Sequence, residues 1–243
     1  MDIISDKTII SALFLAVLWF LELKLPFFMQ FAGTLRQKIK HDLGNLVLGL
    51  FNAALLTFLI ASPTVVALEY SKTHSSGVLW QLPLPAWLAW LTAMVLLDLW
   101  MYLWHAMNHK LSFLWRFHRL HHSDEQMNAS TAVRFHTVEI LLSGIARLVV
   151  LPLLGIDITQ LIVYEILLLP VIMVHHSNVS YPRWYDFGCR YLLITPALHR
   201  VHHSEIRAET DSNYGSIFSI WDRIFGSFCS RNDVNNIKYG LGS

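Results

Sequence analysis

The sequence predicts an all-α integral membrane protein: a helical bundle of about three spans plus a helical hairpin, with a histidine-rich helical cap on the cytosolic side. Three observations predict this fold class. Of the 243 residues, 54% are hydrophobic and only 14% are charged, whereas a soluble domain carries about 25% charged residues. Long apolar segments recur through the first 174 residues. Eight of the 13 histidines form three clusters beside these segments.

The apolar segments predict the membrane helices, each of which needs about 20 mostly apolar residues. Residues 9–23 are the first and are somewhat short, residues 43–68 the second, and residues 87–104 the third. Residues 140–174 are interrupted by Gly155-Ile-Asp157 and predict two antiparallel helices. The arms are short, so we expect a pair that dips into the membrane or crosses it. The N-terminus lacks the basic region of a cleaved signal peptide, so the first segment is expected to remain.

Positive charge predicts the orientation, because cytoplasmic loops are rich in lysine and arginine. Arg36, Lys38 and Lys40 lie between the first two predicted spans, which places that loop in the cytoplasm. Counting spans from there puts all three histidine clusters on the cytoplasmic face. The tail after residue 177 has no further apolar span and should form a cap on the same side.

Composition also limits the domain organisation and the function classes. The length suits a single membrane domain, 1–243. A formal net charge of +1 without a basic face argues against nucleic-acid binding. Cys189 and Cys229 fit neither a disulfide scaffold nor a metal pair, so free thiols are expected. His41 and His74 lie outside the clusters and are interpreted as ordinary loop histidines.

The histidine clusters have the spacing of metal ligands on helices. His105 and His109 are four residues apart and share one helix face. Residues 118–122 and 199–203 are both H-x-x-H-H, and the adjacent histidines in each diverge by about 100°. One such motif can therefore supply ligands to two neighbouring ions. Eight imidazoles exceed the four ligands of a tetrahedral zinc, which favours two metals, and imidazole alone suits zinc, copper, iron or nickel.

These clusters belong to a longer ordered set of motifs in a histidine-rich region, about residues 96–228. The set is Asp98…Tyr102…His105-x-x-x-His109, His118-x-x-His121-His122-Ser123, Arg134-Phe-His136-x-x-Glu139, His176-Ser-Asn178, His199-x-x-His202-His203-Ser204, Asn213-Tyr-Gly215 and Trp221-Asp-x-x-Phe225-Gly226. The set resembles the fatty acid hydroxylase/sterol desaturase superfamily of integral-membrane, non-haem di-iron oxygenases. Two departures weaken assignment to one subfamily: Ala106 stands where many members have Arg, and Thr137 where many have Pro.

By position, the resemblance implies nine metal ligands. They are His105, His109, His118, His121, His122, His176, His199, His202 and His203. His176 is favoured over the competing His175 because it directly precedes Ser-Asn-Val. His136 is expected to line the site or to hold a hydrogen bond behind a ligand.

The resemblance also implies the chemistry and the partners. It predicts two non-haem iron ions (with zinc as a substitute), O2 as co-substrate, and an external electron donor such as a ferredoxin, a cytochrome b5-like protein or a reductase. The expected enzyme is an oxidoreductase that hydroxylates or desaturates a C–H bond of a membrane lipid, an acyl chain or a sterol. The alternative is a non-catalytic membrane protein that binds or transports metal, and a zinc hydrolase would use only about three protein ligands.

Three ionisable residues inside apolar segments are functional candidates by their position. Asp98 lies seven residues before His105. It has two equal interpretations: a carboxylate that supports an imidazole on another element, or a hydrogen-bonding group that orients helices. Arg147 and Glu165 lie at nearly equal distances from the turn at residues 155–157, so an antiparallel hairpin should bring them together as a structural ion pair.

Overall fold

The computed structural model describes residues 3–29 and 34–242, which fold into helices joined by short turns. The helices are α1 (Ile3–Lys24), α2 (Leu35–Leu56), α3 (Ser62–Thr73), α4 (Val78–Gln81), α5 (Ala86–Lys110), α6 (Ser112–His122), α7 (Thr137–Leu154), α8 (Ile158–His176), α9 (Arg183–Cys189), α10 (Pro196–His202), α11 (Arg207–Thr210) and α12 (Ile220–Ile224). A π-helical turn, Thr57–Ala61, joins α2 to α3. Short 3-10 turns span Ala129–Val133 and Val234–Asn236.

Within residues 3–29 and 34–242, four helical segments are long and apolar enough to cross a membrane, judged by length and composition. They are Leu35–Gln81, Ala86–Lys110, Thr137–Leu154 and Ile158–His176. They confirm the predicted all-α membrane bundle and match the second and third predicted spans and both hairpin arms. The arms have 18 and 19 residues, so they extend about 27–29 Å, close to the hydrocarbon thickness of about 30 Å. Helix α1 contains the first predicted span.

The hairpin turn between α7 and α8 is fixed by backbone conformation and by a cap. Gly155 ends α7 with φ of 78°, in the left-handed region that favours glycine. Asp157 then caps α8 by accepting a hydrogen bond from the Thr159 backbone N–H. The turn packs so tightly on Gly77 that a Cβ atom on residue 77 would collide with the backbone of Gly155.

Inside the bundle, the predicted ion pair of the hairpin is present. Arg147 Nη1 lies 3.0 Å from Glu165 Oε1, and both side chains are about one-quarter exposed. Arg147 Nη2 also lies 3.3 Å from Met101 Sδ of α5. The pair therefore joins α7 to α8 and contacts the helix that carries the first histidine cluster.

The N-terminal end of α2 differs from the sequence expectation. The three basic residues assigned to a loop lie in its first turns, and Lys38 is 7% exposed and paired with Glu22 at 2.7 Å and Asp42 at 3.1 Å. A buried, neutralised lysine is weaker evidence for orientation than a loop lysine. His41 is also helical: its ring lies 3.1 Å from Asp42 and 2.8 Å from Asp124. The carboxylates stabilise these cations in the helix, which a count of charges along the sequence does not reveal.

Candidate metal centre

All nine histidines predicted as ligands meet at one end of the bundle, in two groups. Within each group, one ring nitrogen from every histidine lies within 4.8 Å of those from the others. The five-histidine group is His105, His109, His118, His122 and His202, and the four-histidine group is His121, His176, His199 and His203.

Four helices deliver these side chains through their C-terminal ends. Histidines occupy the last turns of α5, α6, α8 and α10. Because the C-terminal end of a helix carries a partial negative charge, four such ends favour a cation between them. Helices α5 and α6 are separated only by Leu111, which keeps the first two clusters adjacent.

Each H-x-x-H-H motif is divided between the two groups, as the helical divergence predicts. In α6, His118 and His122 join the five-histidine group and His121 joins the other. In α10 the division is reversed, because His202 joins the five-histidine group while the other two join the four. The rings of His122 and His203 stack with their centroids 4.4 Å apart across the boundary.

Backbone carbonyls determine which ring nitrogen carries the proton. A carbonyl only accepts, so the nitrogen facing it must be the N–H. His105 Nδ1 faces Tyr214 O at 2.9 Å, His202 Nδ1 faces Ser212 O at 2.6 Å, and His176 Nδ1 faces Ile172 O at 2.8 Å. In each ring Nε2 therefore carries a lone pair that points into its group; the Nε2 atoms of His105 and His202 have no partner in the described residues, and that of His176 lies 2.9 Å from His199 Nε2.

Two of these inward nitrogens lie against each other. His121 donates from Nδ1 to Arg134 O at 3.3 Å, so its Nε2 is also a lone pair. That atom lies 3.1 Å from His176 Nε2, whose own proton is directed at Ile172 O. Two lone pairs at this separation repel, whereas a cation between the rings would bind both. Most inward nitrogens of the five-histidine group likewise have no partner in the described residues.

Two carboxylates contact the Nδ1 atoms of grouped histidines. His118 Nδ1 lies 2.7 Å from Glu139 Oε1, with both side chains buried, and His109 Nδ1 lies 3.3 Å from Asp211 Oδ1. Such contacts fix the ring orientation and raise the basicity of a ligand. The sequence motifs contain Glu139 without showing its partner. Nothing in the sequence near Asp211 indicates its role, because its partner is 102 positions away.

The environment keeps five of the grouped imidazoles neutral. Burial lowers the pKa of these five well below the usual value of a histidine, because the charged form would lose its hydration, and neighbouring imidazoles lower the pKa further. These histidines are His121, His122, His199, His202 and His203. Neutral imidazole is the form that binds metal.

The other candidates from the sequence, Asp98, His136 and His175, belong to neither histidine group. Asp98 accepts hydrogen bonds from Tyr164 Oη and Ile217 N on Oδ1, and from Phe218 N and Trp221 Nε1 on Oδ2. None of these partners is a histidine, so the helix-orienting interpretation of Asp98 is the one the structure favours.

Asp98 contacts a segment that also contacts two of the grouped histidines. Asp98 and Asp222 together hold this segment, residues 212–222. Asp222 accepts hydrogen bonds from Tyr214 N and Gly215 N at 2.7 and 3.0 Å. This loop presents the Tyr214 and Ser212 carbonyls to His105 and His202.

His136 and His175 lie outside both groups. His136 caps α7 through a hydrogen bond from Val138 N at 3.1 Å and packs on Phe117. His175 is buried and stacks on His199, with ring centroids 4.0 Å apart. Of the adjacent pair in α8, His176 is the one that joins a group.

A small cavity opens beside the histidines. Its volume is about 80 Å³, and five of the nine grouped histidines, together with His175, lie on its wall. Met101, Trp104, Phe135 and Ile172 form an apolar side. Asn108 also lines it, is 1% exposed, and has an Oδ1 without a partner in the described residues.

Comparison with known proteins identifies the family. A model of the fatty acid hydroxylase family matches residues 90–227, more than half of the chain. Alkylglycerol monooxygenase of Danio rerio is 34% identical over 162 residues, which are 64% of this chain and 33% of that protein. Ornithine lipid hydroxylase OlsE of Rhizobium tropici is 31% identical over 135 residues, 56% of this chain and 40% of that protein.

A more distant relative is cholesterol 25-hydroxylase of Homo sapiens, 25% identical over 142 residues, 56% of this chain and 50% of that protein. The chain thus spans one-third to one-half of the length of these relatives. No solved structure matches it. The family match covers the region that carries the two histidine groups, and the chain therefore belongs to the fatty acid hydroxylase family.

Proposed function

We propose that this protein is an O2-dependent lipid hydroxylase whose nine grouped histidines hold two iron ions. The observation that carries the proposal is the convergence of nine imidazoles in two groups, with inward nitrogens that lack any other partner or face each other. The named activities of the relatives, monooxygenase and hydroxylase, support the reaction class. They also favour hydroxylation over desaturation.

The donor set fits iron. Imidazole binds iron, zinc and copper, but zinc has no redox chemistry, and the named reactions of the relatives are oxidations. When bound, the iron pair would supply the activation of O2 and the oxidation of a C–H bond. Zinc remains a substitute that the same ligands accept. We expect five imidazoles around one ion and four around the other, according to the two groups.

The chain's own groups position this chemistry. Glu139 contacts His118 Nδ1 and Asp211 contacts His109 Nδ1, and these contacts fix the orientation of the two rings. The apolar wall of Met101, Trp104 and Ile172 would exclude water and receive part of a hydrocarbon chain beside the histidines. Asn108 Oδ1 is a buried acceptor at the cavity, suited to a donor group on a substrate or a water molecule.

The position of the centre supports a membrane lipid as substrate. Three of the grouped histidines, His105, His109 and His176, lie near the C-terminal ends of α5 and α8, two helices long and apolar enough to cross a membrane. A lipid could therefore approach from the bilayer without entering water. We further propose that this end faces the cytoplasm and receives electrons there from a ferredoxin, a cytochrome b5-like protein or a reductase.

The test uses the purified protein in lipid nanodiscs. We expect about two iron ions per chain by elemental analysis, and lipid-dependent O2 consumption with a reductase system that yields a product one oxygen atom heavier. His176→Ala should lose iron and activity, whereas His74→Ala, at the exposed end of α3, should retain both. Protein that binds iron but consumes no O2 with any membrane lipid would instead support the metal-binding alternative.

A further inference from the structure

A second cavity lies on the same end of the molecule as the histidines but contains none of them. Its volume is about 340 Å³, within the range of about 300–1,000 Å³ for small-molecule sites. Four arginines line it against one acidic side chain, Asp186. The arginines are Arg183, Arg190, Arg200 and Arg231.

Two of these arginines already have carboxylate partners. Arg190 Nη2 lies 2.6 Å from Asp186 Oδ2, and Arg231 Nη1 lies 3.2 Å from Glu209 Oε1. None of the ion pairs among the described residues includes Arg183 or Arg200. The cavity wall therefore carries about two positive charges without a carboxylate partner.

Arg200 is the unusual member, because it is only 3% exposed. Its Nη2 donates to Ser177 O at 3.2 Å and Val179 O at 2.9 Å, and its guanidinium lies 3.7 Å from the centre of the Phe27 ring. Its Nε is buried without a partner in the described residues. A buried cation costs free energy unless an anion compensates it, and a planar guanidinium suits a phosphate.

The surroundings of this cavity are typical of a membrane surface. Phe27 lies just beyond the end of α1, and Pro26 bridges to Val179, just beyond the end of α8. On α9, Trp184 and Phe187 are 74% and 60% exposed on one face. Exposed tryptophan beside arginine is typical of the headgroup layer, so a headgroup there could reach the cavity.

We propose that this cavity binds the phosphate of an anionic membrane lipid, separately from the histidine centre. Arg200 and Arg183 would contact the phosphate, and the aromatic side chains of α9 would lie among the neighbouring lipids. An acidic soluble protein fits less well, because Arg200 is recessed behind the surface. The site needs no metal and no oxidation, so it can be present even if the proposed hydroxylase activity is absent.

Native mass spectrometry of the detergent-purified protein tests the proposal. Short-chain phosphatidylglycerol and phosphatidylcholine are titrated separately, with inorganic phosphate as a competitor. We expect phosphatidylglycerol to bind more tightly. Arg200→Gln should weaken it about tenfold, and Arg183→Gln, on an exposed residue, about two- to fivefold. Arg116→Gln, an exposed arginine of α6 outside the cavity, should leave binding unchanged.

Three results would overturn the assignment: equal affinity for the two lipids, equal loss in the Arg116 variant, or inorganic phosphate binding as tightly as the lipid. The last would indicate a site for free anions rather than for a membrane lipid. If Arg200→Gln does not elute as a folded monodisperse protein, the comparison of Arg183→Gln with Arg116→Gln decides, because both residues are exposed.

Discussion

Glu139 Oε1 lies 2.7 Å from His118 Nδ1, in a contact where both side chains are almost fully buried. The carboxylate is at the start of α7 and the imidazole is in α6, so the contact joins the hairpin to the centre. The second carboxylate oxygen of Glu139, Oε2, is buried without a partner in the described residues. Glu139 therefore orients a ligand candidate and still offers an acceptor at the cavity wall.

Substitution of Glu139 should weaken metal binding more than it weakens the fold. Glu139→Gln keeps an oxygen acceptor for His118 but removes the charge, whereas Glu139→Leu removes both. Groups that hydrogen-bond to a metal ligand contribute about 10- to 100-fold to metal affinity. We therefore expect losses of metal affinity in that range, with the larger loss for Glu139→Leu. Iron retention during competition with a chelator measures the effect. Glu125→Gln, an exposed glutamate nearby, is the control; an equal loss there would argue against a role of the contact.

Reversing the charges of the hairpin ion pair should show a mutual rescue. Arg147→Glu and Glu165→Arg each place like charges 3.0 Å apart in the bundle, and the double variant restores opposite charges. Neighbouring pairs couple by about 0.5–3 kcal/mol, and a chain of this size shifts by about 2–4 °C per kcal/mol. Each single variant should therefore melt several degrees lower in detergent, with partial recovery in the double variant. A double variant that melts at the sum of the two losses would contradict a direct pair.

Sequence patterns predicted the helices and eight of the nine grouped histidines because both depend on short-range spacing, whereas His176 was predicted from the resemblance to the family. An apolar run of 18 residues and an i, i+4 pair of histidines carry their meaning locally. The supporting contacts do not: Asp211 lies 102 positions from His109, and Asp98 lies more than 100 positions from three of its four partners. Lys38 was predicted as a loop charge because its carboxylate partner Glu22 is on another helix. Such contacts depend on how the helices pack.

Asp98 should matter for the stability of the loop at residues 212–222 rather than for metal directly. Asp98→Asn leaves an amide that cannot accept from all four donors, so at least one buried N–H or O–H loses its partner. The expected cost is about 1–3 kcal/mol, and Tyr164→Phe, which removes one donor, should cost about 1 kcal/mol. Thermal melting ranks the two variants. Protease cleavage within residues 212–222 should rise in Asp98→Asn alone; unchanged cleavage would show that the loop does not depend on this carboxylate.

Removing metal should destabilise the end of the molecule that carries the histidines. His121 and His176 direct their lone pairs at each other across 3.1 Å, an arrangement that a cation between the two rings would stabilise. A ligand present at 100 times its Kd stabilises a fold by about 2.7 kcal/mol, and two ions should contribute at least that much. We expect a chelator to lower the melting temperature and added Fe²⁺ or Zn²⁺ to restore it. In His121→Ala/His176→Ala the response to chelator should shrink, because the four-histidine group then retains only His199 and His203. If chelator lowered the melting temperature of that variant as much as that of the unaltered protein, the result would contradict metal binding at the four-histidine group.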